Sequence, residues 1–150
     1  MGTHFKGTKS EISALNTFIK LIRASDSTIS RVNNSFTSSK LTWSQLNILD
    51  ALYHLGPLCQ KDLGKKIFKS GGNITLVVDN LEKYNLVKRE RGKEDRRLFN
   101  ISLTEKGKKV FEEIFPEYLS LIKNAMNILT DSEQKELQRL CKKIGLRNNK

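Results

Sequence analysis

Apolar residues recur at helical spacing near both ends of the chain. Between positions 11 and 36 they return every three, four or seven residues, and this period predicts one long helix with an apolar face. A second long stripe follows Thr104. Pro116 lies within it and is expected to kink or split that helix, because proline removes a helical hydrogen bond. A third stripe, at about 131–145, is expected to bury Leu137, Leu140, Cys141 and Ile144.

The middle of the chain predicts three shorter helices. The stretch LTWSQL, residues 41–46, contains a capping box in which Thr42 caps a helix start and Gln45 reaches back to it. That helix is expected to end at Gly56-Pro57, and a short helix over about 59–67 follows. A further helix is expected over about 71–84, with an inward face formed by Ile74, Val77, Val78 and Leu81.

Two strands complete the pattern, at about 86–91 and 97–103, with a turn near Gly92. Thr104 then caps the long helix that follows, and the box Thr130-x-x-Glu133 opens the last helix. The predicted fold class is therefore mainly α with a small β-hairpin wing. Two short helices joined by a tight turn and followed by a hairpin form a winged helix-turn-helix.

The helix at 71–84 occupies the place of a recognition helix. Its glycines let the backbone come close to DNA, and its free N–H groups suit a phosphate. Asparagine can pair with adenine, while threonine or leucine can touch a thymine methyl group. The alternative for Asn73 is a capping residue near the helix start. The candidate DNA-binding residues here are Ser70, Gly71, Gly72, Asn73, Thr75, Leu76 and Asn80.

The hairpin concentrates charge at its tip. Seven basic and three acidic residues lie between positions 83 and 97. An arginine fits the negative potential of a narrow minor groove, and we expect an aspartate to hold one of two neighbouring arginines and leave the other free to insert. The alternative is a solvated hairpin whose surface ion pair is worth less than about 1 kcal/mol. The candidate wing residues are Arg91, Lys93, Asp95, Arg96 and Arg97.

Composition favours a polyanionic partner. The 150 residues include 27 lysines and arginines against 16 acidic residues, a formal net charge of +11. This excess suits nucleic acid or an anionic membrane surface, although a basic protein without such a partner would show it too. No apolar run approaches the roughly 18 residues that a membrane span needs, so we expect no membrane span. The stretch MGTHFKGTKSE, residues 1–11, lacks the apolar core that a signal peptide needs, so we expect none there. Two cysteines indicate a reduced, cytoplasmic setting.

The sequence carries no signature of catalysis. Its two histidines, His4 and His54, lie far apart, and no metal-ligand cluster or nucleophile elbow appears. The stretch KSGGN, residues 69–73, is glycine-rich but lacks the spacing of a phosphate-binding loop. We therefore expect a protein that is not an enzyme and that needs no cofactor.

The run LEKYNLVKRERGKEDRRLFNISLTEKGKKVFEEI, residues 81–114, resembles the MarR family of bacterial transcription regulators. The family pattern has a recognition helix that ends in Leu-Glu, a wing with Asp-Arg-Arg, and a strand that ends in Leu-Thr before x-x-Gly. The stretches LTWSQLNIL, PLCQKDLGKKI, IFPEYLSLI and LTDSEQKELQRLCKKIG also look like the family, so the resemblance covers about 12–146. The matching residues of the pattern are Leu81-Glu82, Asp95-Arg96-Arg97, Leu103-Thr104 and Gly107.

The resemblance implies an obligate homodimer that regulates transcription, more often as a repressor. Segments 11–36 and 105–146 would be dimerisation helices, and 41–104 would be the winged-helix DNA-binding domain. Two recognition helices would enter successive major grooves of double-stranded DNA at a pseudo-palindromic operator. Many relatives bind a small phenolic or aromatic ligand and release DNA. Residues that would line such a cleft, or simply belong to core and rim, are Trp43, Tyr53, His54 and Tyr118.

Two alternatives remain open. Peroxide-sensing relatives use a cysteine near the start of the first helix, where this chain has none. Cys59 is expected at the N-cap of the 59–67 helix, where the helix N-terminus, Lys61 and Lys65 favour a thiolate, so it is either a redox switch or a small semi-buried residue. The other alternative is a less specific RNA-binding or architectural protein, although the aromatic stacking sheet of RNA modules is missing.

Overall fold

The computed structural model describes residues 2–37, 39–67 and 72–146, except for the side chains of residues 72 and 73. Within these ranges the chain is mainly α with a small three-stranded antiparallel sheet, so the predicted fold class is confirmed. None of the described helices is long and apolar enough to cross a membrane. In chain order the elements are α1 (Lys9–Ser35), α2 (Trp43–Leu55), β1 (Leu58–Cys59), α3 (Gln60–Ile67), α4 (Gly72–Lys83), β2 (Val87–Arg91), β3 (Phe99–Leu103), α5 (Glu105–Met126) and α6 (Asp131–Gly145).

The chain divides into two compact units. One comprises Met1–Ser35 together with Tyr118–Lys150, and the other comprises Phe36–Glu117. The second unit contains α2, α3, α4 and the whole sheet. Helix α2 packs against α3, α4 and β3 there, and each large apolar side chain that is fully buried contributes roughly 1.5–3 kcal/mol. The buried apolar residues of α2 to β3 are Leu46, Ile48, Leu49, Leu52, Leu63, Ile74, Val78, Leu81, Leu86, Val87 and Ile101.

Strand β1 was not expected from the sequence. It consists of two residues, Leu58 and Cys59, which pair with Ile101 and Asn100 of β3 and give the strand order β1-β3-β2. Two residues are too few to show an alternating pattern. Cys59 directly precedes α3, as predicted, but it is also a strand residue, and it is half-buried with a free thiol.

Threonine caps mark the starts of four described helices: α1, α2, α5 and α6. The two predicted boxes are present: Thr42 and Thr130 each accept the N–H of the residue three positions on, whose side chain bonds back. Thr104 accepts the N–H of Gly107 at 2.9 Å. Thr8 and Glu11 form a further box, bonded in both directions, which the apolar period does not show. Helix α1 therefore begins at Lys9, two residues before the expected start at 11. The T-x-x-E spacing would have revealed this box.

Helix α5 runs without a break through Pro116. Of the two expected effects of this proline, a kink or a split, the split does not occur. The lost hydrogen bond and the ring clash cost about 3 kcal/mol. Burial of Phe111, Ile114 and Tyr118 along the same helix offsets that cost.

The prediction that α6 is buried is wrong for the single chain. Leu137, Leu140 and Ile144 are 43%, 42% and 54% exposed, and Cys141 is exposed as well. The stripe is amphipathic as predicted, but none of the residues of α6 is buried within the described chain. Helix α1 also exposes large apolar side chains, namely Leu15, Phe18 and Ile22.

Candidate nucleic-acid interface

Helix α4 has one buried face and one exposed face, at the period that the sequence predicts. Thr75 is exposed, Leu76 keeps 62% of its surface accessible, and Asn80 is half-buried. The buried face comprises Ile74, Val78 and Leu81.

The N-terminal end of the predicted site is only partly described. Helix α4 begins at Gly72. Ser70 and Gly71 lie outside the described residues, as does the side chain of Asn73. Of the predicted recognition residues, the structure therefore locates the side chains of Thr75, Leu76 and Asn80.

The C-terminal end of α4 is a Schellman turn. Asn85 adopts the left-handed conformation, with φ of 58°. Its N–H donates to the carbonyl of Glu82 at 2.9 Å, and the N–H of Leu86 donates to the carbonyl of Leu81 at 3.0 Å. Both leucines are buried, as this turn prefers. The Leu81-Glu82 pair thus supplies the carbonyl groups that end the helix and direct the chain into β2.

Helix α5 begins against the same turn. The Thr104 hydroxyl donates to the carbonyl of Asn85 at 2.6 Å, and the Thr104 N–H donates to the carbonyl of Leu86 at 3.1 Å. A Cβ at position 107 would collide with the Leu86 carbonyl, so the close approach requires Gly107. The spacing Leu-Thr-x-x-Gly therefore fixes how the strand and the helix join behind the wing.

Arg89 of β2 links the wing to α4. Its Nη2 atom lies 2.7 Å from Oδ1 of Asp79, and its side chain is only 18% exposed. Nε and Nη2 are buried without a hydrogen bond to the described residues, so the contact is an ion pair at short range rather than an aligned hydrogen bond. The guanidinium also lies 5.7 Å from the ring centroid of Phe99 in β3. Glu82 accepts the Arg89 backbone N–H at 3.1 Å.

The sequence alone does not reveal this ion pair. In the sequence, Arg89 is only one of the seven basic residues between positions 83 and 97. Asp79 and Arg89 lie on a helix and a strand, and no helical or strand period connects them. Only the topology brings the two charges together.

At the wing tip Asp95 holds Arg97. Its Oδ1 accepts from Nε and its Oδ2 accepts from Nη2, both at 3.1 Å, and Oδ1 also accepts the Arg97 backbone N–H at 3.0 Å. The guanidinium hydrogen bonds first, and the backbone one second, lower the pKa of the Asp95 carboxyl. The Arg97 side chain stays 90% exposed. The expected bidentate pair is thus present, and Arg96 is the arginine that it leaves without an ion pair to a described residue.

The loop behind the tip closes through its backbone. The Gly92 N–H donates to the carbonyl of Leu98 at 2.8 Å, and the Leu98 N–H donates to the carbonyl of Asp95 at 3.2 Å. A Cβ on the buried Gly92 would lie 2.5 Å from the Asp95 carbonyl oxygen. Glycine is therefore required by this close approach.

Arg91 braces the tip from the strand. Its Nη1 donates to the carbonyl of Arg96 at 2.9 Å, and its guanidinium lies 5.1 Å from the Phe99 ring centroid. Both the backbone acceptor and the ring favour a fixed arginine. Lys93 is exposed, and neither Lys93 nor Arg96 forms an ion pair with a described residue.

A cavity of about 550 Å³ opens on α2 and the end of α3. Trp43 and His54 line it, together with Asp50 and Lys66. His54 Nδ1 lies 3.0 Å from Oδ1 of Asp50. Tyr53 lies outside the lining and donates its hydroxyl to Glu112 at 2.8 Å, which raises the pKa of Tyr53.

Comparison with known proteins agrees with this architecture. The sequence pattern of the MarR family matches residues 41–99. The HTH-type transcriptional regulator MhqR of Bacillus subtilis (strain 168) is 32% identical over 133 residues, which cover 89% of this chain and 92% of that protein.

Solved structures show the same fold. Sco3205, a MarR family transcriptional regulator from Streptomyces coelicolor in complex with DNA, superposes with a TM-score of 0.85 at 18% identity, over 99% of this chain and 94% of that one. BpsR of Bordetella bronchiseptica, whose DNA binding is regulated by 6-hydroxynicotinic acid, gives 0.77 at 23% identity, over 86% and 98%. The relatives are regulators rather than enzymes. The chain therefore belongs to the MarR family and is a transcriptional regulator with a winged-helix DNA-binding fold.

Proposed function

We propose that the protein binds double-stranded DNA sequence-specifically, as a homodimer that represses transcription from a pseudo-palindromic operator. The observation that carries this proposal is the ion pair between Arg89 and Asp79. It fixes the wing relative to the exposed face of α4, so that both can contact the same DNA site. A solvated hairpin of no function would not need a largely buried arginine to anchor it. The ion pair therefore favours a wing that works together with the helix.

The chemistry of each group of side chains determines which part of the DNA it contacts. Recognition-helix residues read base edges in the major groove, with Asn73 suited to adenine and Leu76 suited to a thymine methyl group. The other contributors that we propose are Ser70, Gly71, Gly72, Thr75 and Asn80. Arg91, Lys93, Asp95, Arg96 and Arg97 form the wing contact, and its net positive charge neutralises phosphates, so affinity falls with salt.

Arg96 is the arginine we propose for the minor groove. Asp95 holds Arg97 by two side-chain hydrogen bonds, whereas Arg96 is free of ion pairs to described residues. Replacement of either arginine by alanine should weaken DNA binding by roughly 1–3 kcal/mol. The loss at Arg96 should depend on minor-groove width, because a narrow groove attracts arginine. Lys135→Ala, which removes a positive charge from α6 instead, serves as the matched control.

Exposed apolar faces in the Met1–Ser35 and Tyr118–Lys150 unit support the homodimer. Helix α1 exposes Phe18 by 63%, and α6 exposes Leu140 and Ile144. A second copy would cover such faces, since contiguous apolar surface on a monomer marks an interaction site. Sedimentation of the intact chain should give twice the monomer mass, and Leu140→Lys should shift it towards monomer. A wild-type monomer at micromolar concentration would contradict the dimer.

A small aromatic effector is part of the proposal. The cavity lined by Trp43 and His54 offers an aromatic wall, and Lys66 adds a positive charge. BpsR, which shares the fold, responds to an aromatic acid. We place the protein in the cytoplasm, where DNA and such metabolites meet.

The decisive experiment is selection of random duplex DNA by the purified protein, followed by sequencing of the bound pool. Enrichment of an inverted repeat with half-sites about ten base pairs apart supports the proposed dimeric regulator. Salt-sensitive binding without enrichment would instead favour the less specific nucleic-acid-binding protein, and a preference for single strands would favour an RNA partner.

A redox-responsive regulator is the second candidate. Cys59 pairs with Asn100 in β3, the strand that carries the wing. Oxidation of the half-buried thiol would add bulk and polarity at that pairing. Peroxide should then lower operator affinity in the wild type but not in Cys59→Ser. Equal responses of the two proteins would remove this candidate.

A further inference from the structure

Gln60, the first residue of α3, reaches the outer face of the recognition helix. Its Nε2 donates to the hydroxyl Oγ1 of Thr75 at 3.1 Å. Gln60 is half-buried, whereas Thr75 is exposed. The contact joins the N-terminal turns of the two helices of the helix-turn-helix, and it is separate from the ion pair between Arg89 and Asp79.

The oxygen of the same amide has no hydrogen-bond partner within the described part of the chain. Oε1 of Gln60 is buried and accepts no hydrogen bond from a described residue. A buried acceptor without a partner costs roughly 1–3 kcal/mol. A leucine of similar size would fill the space between the helices without that cost. Packing alone therefore does not explain a glutamine here, and the remaining feature of the side chain is its hold on Thr75.

We propose that Gln60 is a positioning residue that sets how Thr75 reads its base pair. The inference rests on the proposed function, because it assumes that Thr75 faces DNA. A helical threonine divides between two χ1 rotamers, which present either the methyl or the hydroxyl to a partner. The methyl suits thymine and the hydroxyl suits a hydrogen-bonding base edge. By holding the hydroxyl, Gln60 selects one rotamer, and so determines a base preference without touching DNA.

The experiment compares base preferences of the full-length wild type, Gln60→Leu, Thr75→Val and the double variant. Duplex selection and competition binding first identify the base pair whose preference changes in Thr75→Val. Gln60→Leu should reduce the preference at that same base pair by roughly two- to tenfold, the range of one neutral hydrogen bond, and leave the other positions unchanged. The double variant should be no worse there than Thr75→Val, because the two residues act as one unit.

Controls separate positioning from folding. The readout is a ratio of affinities for two duplexes, which does not depend on the fraction of active protein. Gln138→Leu makes the same substitution at an exposed position of α6 and should leave all preferences intact. If Gln60→Leu lowers the midpoint temperature of thermal unfolding, Gln60→Met replaces it, because methionine is unbranched like glutamine.

Two outcomes overturn the inference alone. Gln60→Leu could weaken binding equally to all duplexes, which indicates a structural role, or it could keep the wild-type preference at every position. A wild type that selects no sequence at all would overturn the proposed function itself. Failure of the inference and failure of the function are therefore distinguishable in one data set.

Discussion

The guanidinium of Arg89 lies 2.7 Å from the carboxylate of Asp79, so a charge pair joins strand β2 of the wing to helix α4. The arginine is largely buried and the aspartate is 42% exposed. Such a pair is intermediate between a surface ion pair, worth under about 1 kcal/mol, and a buried one, whose rupture costs about 3–5 kcal/mol.

Asp79→Asn should lower the free energy of unfolding by about 1–2 kcal/mol, because it leaves a partly buried guanidinium without its counter-charge. Urea unfolding measures this. The double variant Asp79→Asn/Arg89→Met should lose less than the sum of the single losses. Lys88→Met, which breaks the exposed pair with Glu90, should change stability by less than about 0.5 kcal/mol. Strict additivity at Asp79 and Arg89 would mean that the pair contributes nothing.

Gly92→Ala should disrupt the wing tip, because the new Cβ would lie 2.5 Å from the Asp95 carbonyl oxygen. We expect DNA affinity to fall at least as much as in Arg96→Ala, with amide NMR shifts confined mainly to the hairpin. Lys93→Ala, in the same loop, should lose only its charge contact. Wild-type affinity in Gly92→Ala would show that the tip does not need its closed shape.

Two substitutions at Asn85 test the turn that ends α4. Asn85→Gly should keep or slightly raise the unfolding free energy, since glycine adopts a positive φ without strain. Asn85→Val should lower it by about 1–2 kcal/mol, because a β-branched residue disfavours the left-handed conformation. Equal stability of the two variants in urea unfolding would contradict the Schellman geometry.

The Asp95 carboxyl should titrate below its ordinary pKa of 3.8, since the hydrogen bonds from Arg97 favour the charged form. The folded pKa is lowered, so the contribution of this pair is fully present above the ordinary pKa and is lost as pH falls through the folded value. The wing tip should therefore stay unchanged between pH 5 and 8. Carboxyl NMR measures the midpoint, and Arg97→Ala should move it back towards 3.8. The same midpoint in both proteins would refute the pair in solution.

Local signals in the sequence predicted most of the fold. Capping boxes and apolar periods placed the helices to within a few residues, and the charged turn placed the hairpin. Features that depend on distant residues could not be predicted. Strand β1 is a strand only because it pairs with β3, and Arg89 is buried beside Asp79 only because the fold brings the two together. The misassigned burial of Leu140 and Cys141 has another cause. An apolar stripe indicates that a face will be covered, but it does not say whether the same chain covers it.

Strand β1 also bears on how the protein folds. Its residues Leu58 and Cys59 pair with Ile101 and Asn100, beyond α3 and α4, whereas β2 and β3 are neighbours across one turn. Closing the longer loop costs more entropy and slows that step. We expect the β2–β3 hairpin to form first and β1 to pair with β3 later. Pulse-labelled hydrogen exchange would detect this order as delayed protection of the β1 amides. A nascent chain would then acquire its DNA-binding shape only after residue 103 has left the ribosome.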